Sequence, residues 1–157
     1  MTYLQMSECV NEGTVHECSE TSGSMGQYAG GIIGYTLNGI TINRCRNAGN
    51  ISSGEQSCNA APVSVGGILG GGWNDGSCDW IISNTVNTGT LIERQHSISY
   101  IGGVVGDGAY PLLRLSNIAN FGTLLYTVQD TYAEAAIGGI LGRGCEAEQT
   151  GSTIWNL

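Results

Sequence analysis

Apolar residues fall into columns that recur along the chain at intervals near 36 residues. Two columns lie seven and five residues before a recurrent asparagine, a difference of two that places both on one face of a strand. The first column is Leu4, Ile40, Trp80 and Leu113, and the second is Met6, Ile42, Ile82 and Leu115. A third column, two residues before the asparagine, is Cys9, Cys45, Thr85 and Ile118. This change of phase predicts a bend or bulge near Ser7, Asn43, Ser83 and Ser116.

An Asn-x-Gly turn follows each of these strands. The turn asparagines are Asn11, Asn47, Asn87 and Asn120. We expect them to form a structural ladder, because stacked amides hydrogen-bond to one another and to turn backbone. A second apolar strand follows at Val15, Ile51, Leu91 and Leu124, and a third is marked by Val65, Ile101 and Ile137. Three short strands per repeat, with like residues in register, predict an all-β chain folded as a parallel β-solenoid.

A glycine-rich word of five residues returns four times with a constant period of 36. Its glycines are Gly30, Gly31, Gly34, Gly66, Gly67, Gly70, Gly102, Gly103, Gly106, Gly138, Gly139 and Gly142. The period predicts one repeat domain over 1–157 with about four coils. Three coils are complete, near 30–65, 66–101 and 102–137, and two are partial, at 1–29 and 138–157.

Interpreted as one strand, the glycine word presents a flat Gly-aliphatic-Gly face. The aliphatic residues of that face are Ile32, Ile68, Val104 and Ile140. Each gains roughly 1.5–3 kcal/mol on full burial, so we expect the face to be covered. Cover from within the solenoid and a lateral partner on this face are both compatible with the sequence.

The charge of the chain excludes two classes of partner. Its net charge is −8 at pH 7, and its five basic residues are all Arg. Such a surface repels nucleic acid and anionic membranes, which bind clustered basic residues. No apolar run is long enough to span a bilayer, and the first thirty residues lack the pattern of a signal peptide. If the protein is exported, we expect its signal to have been removed or to lie outside this sequence.

Variable segments lie between the second strand and the next glycine word, at 17–27, 53–64, 93–99 and 126–135. We expect them to form loops along one edge, where specific recognition would be concentrated. Cys18 and Cys58 lie in successive loops and form a candidate disulfide in an oxidising compartment. Cys9 and Cys45 share a buried column and are expected to be free thiols. Asn50 begins an Asn-Ile-Ser sequon and is a candidate glycan site in a secreted eukaryotic protein.

No constellation in the sequence predicts catalysis, a bound metal or a cofactor. The glycine word lacks the Lys-Ser/Thr ending of a phosphate-binding loop, and no Cys-x-x-Cys pair is present for zinc. A few acids and arginines are loosely placed to share a face: Asp75, Asp79, Asp107, Arg114 and Arg143. Acids of this kind more often form a solvated edge or an opportunistic Ca²⁺ site than a catalytic centre. We therefore expect a non-enzymatic protein.

The glycine word of Gly30–Gly34, followed by an apolar strand and by the turn at Asn47, resembles the GLUG repeat. That repeat recurs in bacterial immunoglobulin A peptidases and in large surface proteins of bacteria and some protists. The resemblance covers nearly the whole chain and implies a solenoid stalk or adhesive region at the cell surface or outside the cell. It implies no catalytic residues, because the repeat is an auxiliary region of those proteins.

These observations predict an extracellular structural protein, a filament subunit or stalk whose coils assemble head to tail. The basis is that neither end of the chain has a helical or charged cap, so the end coils would present unpaired backbone groups. The alternative is a carbohydrate-binding or adhesin module. Its candidate stacking residues are Tyr28, Trp73, Trp80, Tyr100, Tyr110 and Tyr132.

Overall fold

The computed structural model describes residues 3–17, 26–53, 62–73, 78–94, 98–109, 112–127 and 134–144. Within these ranges the regular structure is β-strand, and the strands are joined by short turns. β-Branched and aliphatic residues are frequent in these strands, as expected of segments that form sheets. The all-β class predicted from the columns is confirmed.

The strands form four successive layers. The first layer contains β1 (Leu4–Ser7), β2 (Val10–Asn11), β3 (Val15–His16), β4 (Gln27–Gly30) and β5 (Ile33–Thr36). The second contains β6 (Ile40–Asn43), β7 (Arg46–Asn47), β8 (Ile51–Ser52), β9 (Val63–Gly66) and β10 (Leu69–Gly72). The third contains β11 (Asp79–Asn87), β12 (Leu91–Arg94), β13 (Ile98–Gly102) and β14 (Val105–Asp107). The fourth contains β15 (Leu112–Asn120), β16 (Leu124–Thr127), β17 (Glu134–Gly138) and β18 (Leu141–Arg143).

Parallel pairing between layers builds four sheets. Sheet I contains β1, β2, β6, β7, β11 and β15; sheet II contains β3, β8, β12 and β16; sheet III contains β4, β9, β13 and β17; sheet IV contains β5, β10, β14 and β18. In sheet I, Leu4 pairs with Ile40, Ile40 with Trp80, and Trp80 with Leu113. These offsets of 36, 40 and 33 residues equal the intervals between the turn asparagines. The chain is therefore a parallel β-solenoid, as predicted.

A left-handed residue bends sheet I in every layer. These residues are Glu8 (φ 57°), Arg44 (φ 54°), Asn84 (φ 52°) and Asn117 (φ 51°). Each directly follows a position where the change of phase predicted a bend, so that prediction is confirmed. A left-handed residue other than glycine costs roughly 1–2 kcal/mol. The bend offsets this cost by returning the next column to the interior, where Cys45 is buried.

The glycine word forms a turn between two sheets, and its interpretation as one flat strand is wrong. β4 ends at Gly30 and β5 begins at Ile33, and later layers repeat this break. Sheets III and IV approach closely beside the turn, since a Cβ on Gly30 would lie 2.6 Å from Gly70 N. A Cβ on Gly70 would lie 2.7 Å from the carbonyl oxygen of Ala29. Glycine is needed because the two backbones leave no room for a side chain. Each layer therefore contributes strands to four sheets, whereas three strands per coil were predicted.

Two apolar cores lie between the sheets. Sheets I and IV enclose the first, whose buried members include Ile42, Trp80, Ile82, Ile68 and Val104. Sheets II and III enclose the second, whose buried members include Ile51, Leu91, Val65 and Ile101. The aliphatic residues of the glycine word, which lie at the turn between sheets III and IV, pack in or against the first core. Of the two alternatives for covering these residues, the structure shows cover from within the solenoid for Ile68 and Val104, and a lateral partner stays a prediction.

Candidate functional site

The turn asparagines form a continuous hydrogen-bonded ladder at the corner between sheets I and II. The Nδ2 of Asn11 donates to Oδ1 of Asn47 at 2.7 Å, and the Nδ2 of Asn47 donates to Oδ1 of Asn87 at 2.7 Å. The Nδ2 of Asn87 donates to Oδ1 of Asn120 at 2.8 Å. Each Oδ1 also accepts from the backbone N–H of the glycine two residues later, at 3.1–3.3 Å. The four residues that sequence columns aligned are thus brought together as one structural element.

The ladder has a direction. All three bonds between asparagines run from Nδ2 in one layer to Oδ1 in the next layer. Among the described asparagines, none donates to Asn11 Oδ1, which accepts from Gly13 N. Among the described residues, Asn120 Nδ2 has no acceptor at the other end. The first and the last of the described layers consequently differ in the amide group that is left over from the ladder.

Glycines of the turn between sheets III and IV lie against the ladder. A Cβ on Gly31 would lie 2.6 Å from Asn47 Oδ1, and one on Gly67 would lie 2.5 Å from Asn87 Cγ. The turn therefore reaches the corner only because its second glycine has no side chain. The glycine word and the Asn-x-Gly turn, which recur along the sequence, therefore contact each other at this corner.

Exposed apolar side chains are concentrated at the two end layers. Of the ten large apolar side chains exposed in the described ranges, eight lie in or beside the first or last layer. At the first layer they are Tyr3, Leu4, Val10, Tyr35 and Leu37, and at the last layer they are Phe121, Leu125 and Ile137. Leu113 and Leu115 of β15 are nevertheless buried, so the exposed part of the last layer is the asparagine turn with sheets II and III.

A shallow cavity of about 340 Å³ lies outside the bend of sheet I, beside the last two layers. Its lining residues include Asn84, Asn117 and Phe121, together with Val86 and Ala119. Asn117 Nδ2 donates to Asn84 Oδ1, and Asn84 Nδ2 donates to Asn43 Oδ1 at 2.8 Å. Phe121 is 78% exposed. An exposed ring beside polar amides is a surface that a neutral, hydroxyl-rich ligand fits.

The described acids and arginines of the predicted set form two separate ion pairs. Arg143 donates to both carboxylate oxygens of Asp107, at 2.9 and 2.6 Å, and to Tyr100 Oη at 3.0 Å. Asp107 is buried, so the expectation of a solvated edge is wrong for this residue. Arg114 pairs with Asp79 at 3.0 Å on sheet I, away from the first pair in sheet IV. Of the three predicted acids, Asp79 and Asp107 are thus each paired with an arginine. Asp75 lies outside the described residues.

The described cysteines Cys9 and Cys45 are free thiols in adjacent layers, as expected. Burial raises the pKa of the Cys45 thiol, and the charge that Cys9 would carry raises it further. Cys18 and Cys58 lie outside the described residues, so their disulfide stays a prediction. Asn50 is exposed, and the hydroxyl of Ser52 in its sequon lies 2.7 Å from His16 Nδ1. Glycosylation at Asn50 also stays a prediction.

The aromatic residues predicted as stacking surfaces have different environments. Trp80 is fully buried, and its Nε1 donates to the carbonyl oxygen of Asn38 at 3.0 Å, so its prediction as a stacking surface is wrong. Tyr28 packs on Tyr35 with 4.6 Å between ring centroids, and Tyr100 lies under the guanidinium of Arg143. Trp73 is exposed. Tyr110 and Tyr132 lie outside the described residues.

Sequence reasoning missed a buried polar column where sheets II and III meet the variable segments. Glu93 is fully buried and is paired in register with Tyr126. Burial raises the pKa of Tyr126, a hydrogen bond with Ser99 lowers it, and the Glu93 carboxylate raises it. The sequence did contain a signal for this burial. Glu93 lies two residues after the inward Leu91 and therefore on the same face of the strand.

Within the described ranges, no group of three or more His, Cys, Asp or Glu side chains is placed to hold a metal ion. The same ranges contain no helix of the length and apolarity that a membrane span requires. Comparison of the chain with protein-family models, with curated proteins and with solved structures found no match in any of the three. The resemblance to the GLUG repeat therefore stays a prediction from sequence.

Proposed function

We propose that the protein is a non-enzymatic extracellular or cell-surface structural protein, a filament subunit or stalk that assembles end to end through its first and last layers. The observation that carries this proposal is the concentration of exposed apolar side chains at those layers. Val10, at 57% exposure, and Leu125, at 47%, are typical of the two sets. Side chains of this size are stabilised when a further layer covers them.

The edge strands support the same proposal. β1 pairs only with β6, and β16 pairs only with β12, so one edge of each strand carries backbone groups without a strand partner in the described residues. Such edges are templates for pairing with another chain. The contact would join unlike surfaces and would not close, which is the geometry of a filament.

The ion pairs support a structural role over an enzymatic one. Asp107 and Asp79 each accept from an arginine, at 2.6 and 3.0 Å, so their oxygens are engaged in contacts within the protein. A general acid or base needs a group that can exchange its proton with a substrate.

Sedimentation velocity across a wide range of protein concentration, with electron microscopy of the same samples, tests the assembly. We expect the mean mass to rise with concentration and fibres to appear. Val10→Glu and Leu125→Glu should suppress both, because each places a charge in an end layer. The matched control is Ile81→Glu, which changes an exposed residue of the third layer and should leave assembly intact. A monomer at every concentration would refute the proposal.

A carbohydrate-binding role is the second candidate, and the cavity at Phe121, Asn84 and Asn117 favours it. Rings stack on sugar faces while amides hydrogen-bond to hydroxyl groups. Affinity electrophoresis in gels containing soluble mannan, xylan or β-glucan is the test. We expect retardation that Phe121→Ala abolishes and that the control Tyr3→Ala, an exposed aromatic residue beside the first layer, preserves. Unchanged mobility in every gel would eliminate this role.

A further inference from the structure

We infer that Cys9 is a site of oxidation by hydroperoxides and that Cys45 is its resolving thiol, so that the product is a disulfide between the first two layers. Hydrogen peroxide is the simplest oxidant of this class. The structure shows the reduced form, in which both cysteines are free thiols. The bond forms within one chain, so this inference does not depend on the proposed assembly.

Backbone hydrogen bonds on both sides hold the two cysteines side by side. Glu8 N donates to Asn43 O at 3.1 Å, and Arg46 N donates to Cys9 O at 2.9 Å. Cys9 and Cys45 therefore occupy equivalent positions of adjacent layers, and the paired strands on either side of them lie about 4.8 Å apart. Disulfides span Cα separations of roughly 4.4–6.8 Å, and this spacing falls within that range.

The two thiols point in the same direction. Each donates to the carbonyl oxygen two residues earlier, Cys9 Sγ to Ser7 O at 3.5 Å and Cys45 Sγ to Asn43 O at 3.4 Å. Cys45 is a buried member of the first core, and Cys9 packs against that core. The side chains thus leave the backbone in parallel directions, which permits a bridge. The equivalent residue of the third layer is Thr85, so Cys45 has one thiol neighbour in this column.

The different burial of the thiols determines which one reacts first. Cys9 is half-buried, whereas Cys45 is buried. Burial raises the pKa of the Cys45 thiol, and the charge that Cys9 would carry raises it further. The thiolate is the reactive form, so Cys45 is the slower of the two to attack a peroxide from solution. A partly accessible cysteine beside a second thiol is the arrangement found at sites of reversible oxidation.

The chemistry balances in two steps. The Cys9 thiolate attacks one oxygen of the peroxide, the O–O bond breaks, and a sulfenic acid forms on Cys9 while the other oxygen leaves as water or an alcohol. The Cys45 sulfur then attacks the Cys9 sulfur, the S–O bond breaks, and hydroxide leaves with the Cys45 proton as water. The two thiols together lose two electrons and two protons, and the peroxide is reduced.

Peptide mapping after oxidation tests the assignment. The reduced, folded protein is treated with hydrogen peroxide, the remaining thiols are alkylated, and the digest is analysed by mass spectrometry. We expect cross-linked peptides that contain Cys9 and Cys45 and that dithiothreitol separates. Protein oxidised in urea should give about a fifth of this yield, because random pairing of the six cysteines has fifteen outcomes and few contain this bond. No cross-link in the folded protein, or an equal yield from the unfolded protein, would overturn the inference.

Cys45→Ser separates the two steps. Without the resolving thiol, the sulfenic acid at Cys9 persists and is labelled by dimedone, whereas the unsubstituted protein should lose this label as the disulfide forms. Cys78→Ser is the matched control, because it removes another buried thiol and should leave the yield of the cross-link unchanged. Equal labelling of Cys9 in the unsubstituted protein and in Cys45→Ser would show that Cys45 does not resolve the sulfenic acid, which is the result that rejects its assigned role.

Discussion

Asn87→Ala is expected to be among the most damaging single substitutions in the solenoid. Asn87 is fully buried and makes four hydrogen bonds through its side chain. It accepts from Asn47 Nδ2 at 2.7 Å and from Gly89 N at 3.2 Å, and it donates to Asn120 Oδ1 at 2.8 Å and to Gly89 O at 3.3 Å. Removing the amide interrupts the ladder and leaves both backbone groups of Gly89 without these partners.

The magnitude follows from those losses. Asn47 Nδ2 keeps its bond to Gly49 O, so its loss is partial. A buried backbone group without a partner costs about 1–3 kcal/mol, and a lost amide bond costs about 1 kcal/mol. We therefore expect Asn87→Ala to lower the free energy of unfolding by about 4 kcal/mol, a large share of the roughly 5–15 kcal/mol typical of a domain.

Urea unfolding followed by far-ultraviolet circular dichroism measures this loss. Asn11→Ala is the matched comparison, because Asn11 occupies the same ladder position in the first layer but is only partly buried. Water can replace its partners, and we expect a loss of about 1 kcal/mol. Equal losses for the two variants would refute the reasoning, since burial would then not determine what an amide of the ladder contributes.

Three further predictions follow from the glycine turn, the buried ion pair and the stacked thiols. Gly67→Ala should lower the free energy of unfolding in urea by about 3 kcal/mol, because its Cβ would lie 2.5 Å from Asn87 Cγ. Gly139 occupies the same motif position with nothing within 4 Å, so Gly139→Ala should lower it by less than about 1 kcal/mol. Arg143→Met should lower stability by about 3–5 kcal/mol because Asp107 stays buried without its bidentate partner, and Asp107→Asn should recover part of that loss in the double variant. The raised pKa of Cys45 means that the unfolded chain loses this proton at lower pH than the folded chain, so stability should fall as pH rises above 9.0. Cys45→Ala should flatten that part of the pH profile in thermal melts, and an unchanged slope would contradict the assignment.

The sequence by itself determined the solenoid and the membership of its columns. A parallel stack places equivalent residues of successive repeats directly over one another, so a constant period in the sequence becomes adjacency in space. Leu4, Ile40 and Trp80 could be aligned from the turn asparagines before any coordinates were known, and the register confirms the alignment. The bend before Asn84 was also readable, because a strand that changes its inward phase must bend locally.

Only the tertiary structure decided how the sheets meet. A strand and a tight turn are equally compatible with Gly-Gly-Ile-x-Gly, and the choice depends on the approach of Gly30 to Gly70 between different sheets. The pairing of Asp107 with Arg143 and the burial of Trp80 likewise depend on which surface covers each layer. The direction of the asparagine ladder is likewise a property of hydrogen bonds between separate layers, which the sequence of one repeat does not contain. Local sequence specifies the strands and the Asn-x-Gly turns, but contacts between distant segments exist only once the chain has folded.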